Sequence, residues 1–390
     1  MTLPRYAGRM PFSVAENPLA ILEAEKRAAG HPLLDLTLSN PTVADLAYPA
    51  DRIATALAHP AIAVYEPSPR GLPSARASIR GDYLRRGARL SDEQILLTAS
   101  SSESYSLLFK LFGNPGDVVL VPEPSYPLFA HLAGLEGLST RPYRLAYDGR
   151  WHVDGAPLDF TDVAAVVAVS PNNPTGSYLS QPDLLRLATL AAGHGVPLIV
   201  DEVFADFPHV VPKDAVTTAA TLTLPSLTFS LGGLSKACGL PQLKLGWIAA
   251  TGPGATQAIT RLEWVADTYL SVGAPVQHAL PELLVLGAEI RGRIQTRIAG
   301  NLAHLRAAIR PESPCTLLPC EAGWSVILRV PAAHSDEEWA LRLLREQDVL
   351  VHPGYFFDLA LGSTLVLSLL PAPGAFMEGI RRVSTMIDAA

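Results

Sequence analysis

Lysine is scarce in this chain of 390 residues, and Lys236 differs in its surroundings from Lys26, Lys110, Lys213 and Lys244. It lies in TFSLGGLSKACGLPQLKLGWIAA, just past a short apolar run and inside a Gly-rich turn. In open α/β sheets, ligands bind beyond the carboxyl ends of the strands. A lysine held there can form a Schiff base with a carbonyl ligand. Read locally, Lys236 is either such a nucleophile or a surface lysine in a flexible turn. The turn lacks the G-x-x-x-x-G-K-[ST] spacing of a phosphate loop. Among the others, Lys26 sits in the charged helical stretch EAEKRAAG and reads as solvated, Lys110 falls on an amphipathic helix, and Lys213 falls in a loop.

Further polar groups follow other apolar runs. PEPSYPLF follows Val118–Val121, SPNNPTG follows Ala164–Val169, and DEVF follows Val196–Val200. If these runs are parallel strands, Tyr126, Asn173 and Asp201 reach the same rim as Lys236. Upstream, LLTASSSESYSLLFKLF puts a serine cluster at a helix start. Amides and hydroxyls at a helix N-terminus make an anion site. The Ser100 to Glu103 spacing also fits a capping box, and the two roles are compatible.

The positioning elements follow from the pattern. Val118–Val121, Ala164–Val169, Val196–Val200, Leu227–Leu231 and Leu245–Ala250 read as buried strands, with helical stretches such as Gln181–Ala192 between several of them. This alternation predicts an α/β sheet with many parallel strands. Residues 275–309 read as one long helical span. Strand-like Trp324–Val330 and Thr364–Leu370 and a helical Ser335–Glu346 follow. The expected division is a large domain at 46–274 and a smaller α+β domain combining 1–45 with 275–390.

Composition narrows the function. With 48% apolar and 17% charged residues the chain is not disordered, and 34 prolines argue against a coiled coil or plain helical bundle. A net charge of −7 without a basic block argues against nucleic acid or an anionic membrane as partner. The three cysteines, Cys238, Cys315 and Cys320, form no disulfide framework and have no metal-ligand spacing. The N-terminal MTLPRYAGRMPFSVAENPL lacks the apolar core of a secretory signal. No apolar run approaches the roughly 18 residues of a spanning helix. A soluble, cytoplasmic protein without a metal is expected.

Together YEPSPRGLPSAR, PEPSYPLF, SPNNPTG, DEVF and GLSKACGLPQLKLGW, in that order over nearly the whole chain, resemble the class I/II aminotransferases of fold type I, the aspartate aminotransferase-like superfamily dependent on pyridoxal 5′-phosphate (PLP). The resemblance implies a large domain with a mostly parallel seven-stranded sheet, a smaller α+β domain, and a homodimer. By the same resemblance Lys236 is the lysine that forms an aldimine with PLP and shuttles the proton. Asp201 pairs with the pyridine nitrogen, Asn173 donates to the ring's O3′, and Tyr126 stacks on the ring. Ser101 and Ser102 cradle the phosphate, with Ser235 and Lys244 nearby. Tyr65 reaches the phosphate from the neighbouring subunit, and Asn40 lines the substrate side. The implied reaction moves an amino group from a donor, an amino acid by family habit, to a keto acid. A PLP-dependent lyase or decarboxylase on the same scaffold is the alternative. A non-catalytic PLP-binding regulator is a further one, disfavoured because no DNA-binding segment is appended.

Four positions depart from the family pattern. Lys244 stands where an arginine usually meets the phosphate, keeping the charge but losing the bidentate fork. Gly233 replaces a phosphate-binding serine. Phe204 replaces the tyrosine of a DEVY pattern, which removes a donor to O3′. Val366, in STLVLSLLPAP, replaces the arginine that clamps the substrate carboxylate, and valine cannot pair with an anion. Arg70 and His352 are the candidate replacements, and Tyr355, Phe356 and Phe357 form an apolar substrate wall or part of the core. The missing hydroxyl at Phe204 predicts a raised pKa for the lysine–PLP imine, because its phenolate-like oxygen is less stabilised. Absorbance titration of Phe204→Tyr is expected to show a lower pKa than wild type; an unchanged or higher value would refute the assignment.

Overall fold

The computed structural model describes residues 6–10, 17–310 and 312–389. Residues 1–5 and 11–16, most of the stretch read above for a leader, lie outside the described residues. In chain order the elements are α1 (Pro18–Ala28), β1 (Leu34–Asp35), α2 (Ala50–Leu57), α3 (Pro73–Arg85), β2 (Ile95–Thr98), α4 (Ser101–Phe112), β3 (Val118–Glu123), α5 (Phe129–Leu135), β4 (Ser139–Tyr147), β5 (Trp151–Val153), β6 (Val163–Val169), α6 (Gln181–Gly193), β7 (Leu198–Asp201), β8 (Thr228–Gly233), α7 (Leu234–Ala237), β9 (Gly246–Thr251), α8 (Ala255–Asp267), α9 (Ala274–Ala308), β10 (Thr316–Leu317), β11 (Ser325–Arg329), α10 (Asp336–Gln347), β12 (Val349–Leu350), β13 (His352–Pro353), β14 (Thr364–Ser368) and α11 (Pro373–Asp388).

The central sheet has the order β2-β9-β8-β7-β6-β3-β4-β5. Its strands β6 and β7 are near-continuous apolar runs and β8 is buried along its whole length, because helices cover both faces. On one face α4 and α8 pack Leu108, Ile259 and Leu262 against Val119, Ala165, Ile199 and Phe229. On the other, α6 packs Leu184 and Leu187 against Leu120, Val166 and Leu198. The expected count of seven strands is corrected to eight. The added strand, β5, folds back antiparallel on β4, and its three residues are too short for a periodic signal.

Strands β8, β7, β6, β3 and β4 are mutually parallel. Strand β9 runs antiparallel between β8 and β2, so β2 points the same way as β8. The carboxyl ends of β2, β3, β6, β7 and β8 therefore open along one edge of the sheet.

The helical span expected at 275–309 is α9, continuous through Pro281 and packed against α2, α3 and α11. A second, antiparallel sheet has the order β10-β11-β14-β13. The N-terminal segment joins this part of the chain, because β1 pairs in parallel with β12. Lys26 is not solvated as expected: it pairs with Asp348 and donates to the Arg345 carbonyl at 3.0 Å, which ties α1 to the end of α10.

The segment leading into β11 is stitched to the central sheet's loops. Ala322 N–H donates to the Gly176 carbonyl (2.8 Å) and Gly323 N–H to that of Phe207 (2.9 Å). The Glu321 carboxylate accepts from Arg150 Nε at 2.7 Å and from the Tyr178 amide at 2.8 Å. Gly176 has φ +66, and a Cβ there would lie 2.4 Å from Cys320 Sγ, so a side chain is excluded by both conformation and space.

Among the described residues no helix is long and apolar enough to cross a membrane, and no group of three or more His, Cys, Asp or Glu could hold a metal ion. All three cysteines are buried and free.

Beneath the end of β7 lies a buried ion pair. Arg86 Nη2 donates to Glu202 Oε2 at 2.9 Å, while Glu202 Oε1 accepts from the Ala219 amide (2.7 Å) and Ser230 Oγ (3.0 Å). Removing one partner of such a pair strands a charge in the interior. Arg86→Ala is expected to lower unfolding stability by about 3–5 kcal/mol, measured by urea denaturation; a loss under ~1 kcal/mol would show that the pair is not holding the loop after β7.

Candidate active site

Strand direction accounts for which side chains meet. Lys236 lies on α7, the single turn after β8, and Asp201 ends β7. These strands are neighbours in the sheet, with Asp201 opposite Leu231. The Lys236 side chain is largely enclosed, its Nζ 4.8 Å from the ring centroid of Trp324 and 5.6 Å from that of Phe204. Burial pulls its pKa down to about 8, while the Asp201 charge pulls the other way. Burial pushes the Asp201 carboxyl up to about 6, opposed by hydrogen bonds from the Val203 amide and the Tyr105 hydroxyl and by the Lys236 charge. The edge therefore carries a lysine poised near neutrality beside a buried acid.

The loop after β6 divides its two asparagines by task. Asn172 belongs to the loop's own network: its Oδ1 accepts from Ser125 Oγ (2.9 Å), and its Nδ2 donates to the Pro124 carbonyl and Thr175 Oγ1 (both 3.0 Å). Asn173, half-buried, stays outside that network. Tyr126, after β3, is half exposed. Both are available to a ligand at this edge.

Ser100 caps α4, accepting from the Glu103 amide at 3.1 Å. The capping box is only half formed, because Glu103 Oε2 accepts from Ala99 N–H rather than Ser100 N–H, and also from Ser271 Oγ. Ser101 and Ser102 open the helix, leaving first-turn amides for an anion. Strand β9 passes close by: a Cβ on Gly246 would lie 2.8 Å from the Ser100 carbonyl carbon and 3.0 Å from Ser101 N. Lys244 holds a left-handed backbone (φ +47) in the turn before β9 and is exposed. Ser235 is half-buried beside Lys236. Tyr65 is 81% exposed and lines a cavity of about 250 Å³ with Tyr269, Leu97 and Gln277.

The substrate candidates fare differently. Asn40 caps a turn, its Oδ1 accepting from the Thr42 amide (3.0 Å) and hydroxyl (2.8 Å). Arg70, expected as a candidate carboxylate clamp, is paired: Glu93 and Glu263 flank its guanidinium, the latter at 3.2 Å. His352 sits directly across from Val366 in the β13–β14 pair and packs on Phe356 and Phe357 at 5.7 and 5.8 Å. Burial lowers its pKa despite Asp35 and Glu23, so near neutral pH it is an uncharged imidazole rather than an anion clamp. Val366 is 2% exposed, in an apolar cluster with Ile327, Leu318 and Phe357. Phe357 is core and Tyr355 is partly exposed.

Two residues at this edge escape the sequence reading. Trp324, taken there for a strand residue, precedes β11 and covers Lys236 Nζ; its indole N–H is buried without a partner. No local signal marks it. Tyr105 donates to Asp201 Oδ2 at 2.9 Å. It lies three and four residues after Ser102 and Ser101, a helical spacing that does put it on the face those serines share.

An amine of depressed pKa, a buried carboxylate, an uncommitted amide, an exposed ring and a helix N-terminus crowded by a glycine suit a flat, anionic carbonyl cofactor such as PLP. The sequence matches the family described as Aminotransferase class I and II over residues 31–369. It is 25% identical over 375 residues to nicotianamine aminotransferase 1 of Oryza sativa subsp. japonica, covering 91% of this chain and 74% of that protein. It is 27% identical over 381 residues to alanine aminotransferase of Mycobacterium bovis, covering 93% and 87%. The fold matches a solved alanine aminotransferase from Pyrococcus furiosus with a TM-score of 0.84 at 21% identity, covering 95% of this chain and 96% of that one.

The depressed lysine can be checked chemically. In protein freed of PLP, acylation of Lys236 followed by mass spectrometry is expected to reach half-maximal reactivity near pH 8. Asp201→Asn should move that midpoint lower, because the carboxylate holds the proton on Nζ. A midpoint near 10, as for a solvated lysine, would contradict the geometry.

Proposed function

This chain belongs to the class I and II aminotransferases and is a PLP-dependent transaminase, and from that premise we propose which of its residues carry the reaction. The enclosed Lys236 beside the buried Asp201 is the observation that carries the assignment. Lys236 Nζ would hold the cofactor and move the proton. Asp201 would meet the ring nitrogen, Asn173 the ring oxygen and Tyr126 the ring face. The first-turn amides of α4 with Ser101 and Ser102 would take the phosphate, assisted by Ser235 and Lys244.

When bound, PLP supplies the electron sink that lets the amino-bearing carbon lose a proton. Lys236 does the rest of the proton work. With a pKa of about 8, roughly one Nζ in ten is free base at pH 7, against fewer than about one in a thousand for a solvated lysine. Nζ can take a proton from the substrate carbon and return it two atoms away, a 1,3 shift in which it acts as base and then acid. Trp324 and Phe204 cover Nζ and keep bulk water from that transfer. Asp201 keeps a negative charge where the ring nitrogen is to be held protonated.

The donor we propose is an amino acid and the acceptor a keto acid. Val366 favours a second reading, a donor without an α-carboxylate, since neither Arg70 nor His352 offers a free cation in its place. A homodimer is proposed because Tyr65, Tyr269 and Trp264 expose 81, 56 and 76% of their surface. Aromatic exposure of that size suits a covered face, and Tyr65 would then serve the partner's phosphate site. The site would lie between a large domain, 46–274, and a small one made of 1–45 and 275–390, an assignment the β1–β12 pairing supports. Cytoplasmic residence is proposed on the three free, buried thiols.

Absorbance of the PLP-loaded protein, with amino donors added singly and a keto acid added afterwards, tests the reading. Transfer of the donor's amino group to the cofactor, the donor carbon oxidised and the cofactor's carbonyl carbon reduced by two electrons, is expected to bleach the band, and the keto acid, taking up the amino group in the reverse sense, to restore it. Bleaching with α-amino acids supports the first donor class, and bleaching restricted to amines without a carboxylate supports the second. Loss of the donor's carboxylate or β-substituent without keto-acid recovery would point instead to decarboxylation or elimination.

A further inference from the structure

We propose that Tyr105 is a positioning residue for the PLP ring, acting through Asp201; the proposal rests on Asp201 being the ring-nitrogen partner. Tyr105 is 2% exposed, and its hydroxyl donates to Asp201 Oδ2 at 2.9 Å. Asp201 Oδ1 accepts from the Val203 amide at 3.0 Å. With one donor on each oxygen, the carboxylate plane cannot turn about its bond, yet each oxygen keeps acceptor capacity for a ring N–H.

The tyrosine is itself fixed. Its ring packs edge-on against Phe129 at 5.4 Å and on Phe109 at 5.8 Å. Burial keeps its proton well above the pH range of catalysis, so it remains a donor. Tyr143 offers the contrast: equally buried, it spends its hydroxyl on the Val167 carbonyl at 2.9 Å, an internal structural bond. Tyr105 instead spends its hydroxyl on a carboxylate at the ligand edge.

Helix α4 thereby touches both ends of the expected ligand. Its first turn, at Ser101 and Ser102, presents amides to an anion, and its second turn presents a hydroxyl to the acid under the ring. The spacing between phosphate and ring nitrogen is then set by one rigid element, rather than by two loops moving independently. The other charges facing Asp201 are Lys236, which favours its anion, and Glu202, which opposes it but is neutralised by Arg86. Losing the Tyr105 donor would leave Asp201 easier to protonate.

The test is a double-mutant cycle on PLP affinity and on the visible circular dichroism of the bound cofactor, using wild type, Tyr105→Phe, Asp201→Asn and the double variant. Phenylalanine keeps the ring between Phe109 and Phe129, so the fold stands, and thermal unfolding of each PLP-free variant checks that it does. Tyr105→Phe is expected to weaken PLP binding about ten- to a hundredfold, the range for a hydrogen bond to a charged group. It should also alter the dichroism band and move the acid limit of PLP binding to higher pH. In the Asp201→Asn background the same change should cost less than about threefold. Unchanged affinity and dichroism in Tyr105→Phe, with a clear loss in Asp201→Asn, would overturn this inference alone. An equal loss in both backgrounds would show a purely structural tyrosine and also overturn it. No loss in Asp201→Asn would bring down the reading of Asp201 and this proposal together.

Discussion

Holding a lysine and an aspartate together in a buried place is the constraint on which the rest of this molecule depends. Each charge alone would be driven to neutrality by burial. Side by side at the ends of β7 and β8 they moderate one another, leaving the lysine near pKa 8 and the acid near 6. The parallel sheet makes this possible, since adjacent parallel strands end at the same edge. Strands β6, β7 and β8, buried and covered on both faces, hold that edge in place.

Enclosure comes from elsewhere in the chain. Trp324 reaches Lys236 because the segment before β11 is bonded to Gly176, Phe207, Arg150 and Tyr178, which belong to the loops and flanks of the central sheet. The contact is an assembly of two sheets rather than a property of either. Gly176 has both a left-handed backbone and no room for a Cβ, which shows how closely the two parts approach.

Three of the four departures from the family pattern, Lys244, Gly233 and Phe204, fall on the cofactor side, and the fourth, Val366, falls on the substrate side. Lys236, Asp201, Asn173 and the start of α4 are arranged as a cofactor would require. Val366 is built into an apolar cluster, His352 opposite it is neutral, and Arg70 is committed to two carboxylates. The proposed amino-acid donor therefore has no free cation at Val366, Arg70 or His352 to meet its carboxylate.

Much of this was legible in the sequence. Short apolar runs marked five of the eight central strands, the residues following them marked Tyr126, Asn173, Asp201 and Lys236, and a helical period ran unbroken from 275 to 309. These are local signals, carried by residues within a few positions of each other, and local backbone preference decides them. β2, β4 and β5 escaped: β2 and β5 have only four and three residues, too few for a period, and β4 (STRPYRLAY) is no apolar run. Lys26 was misjudged, and the pairing of Arg70 was not legible, because a cation's partners, Asp348 and Glu263, lie far along the chain. Tyr105 meets Asp201 across 96 positions, and Trp324 meets Lys236 across two sheets. Such neighbours are chosen by how helices and sheets pack, and so is the burial that sets both pKa values; the sequence by itself determined which groups the edge carries, and only the tertiary structure decided which of them touch and in what charge state.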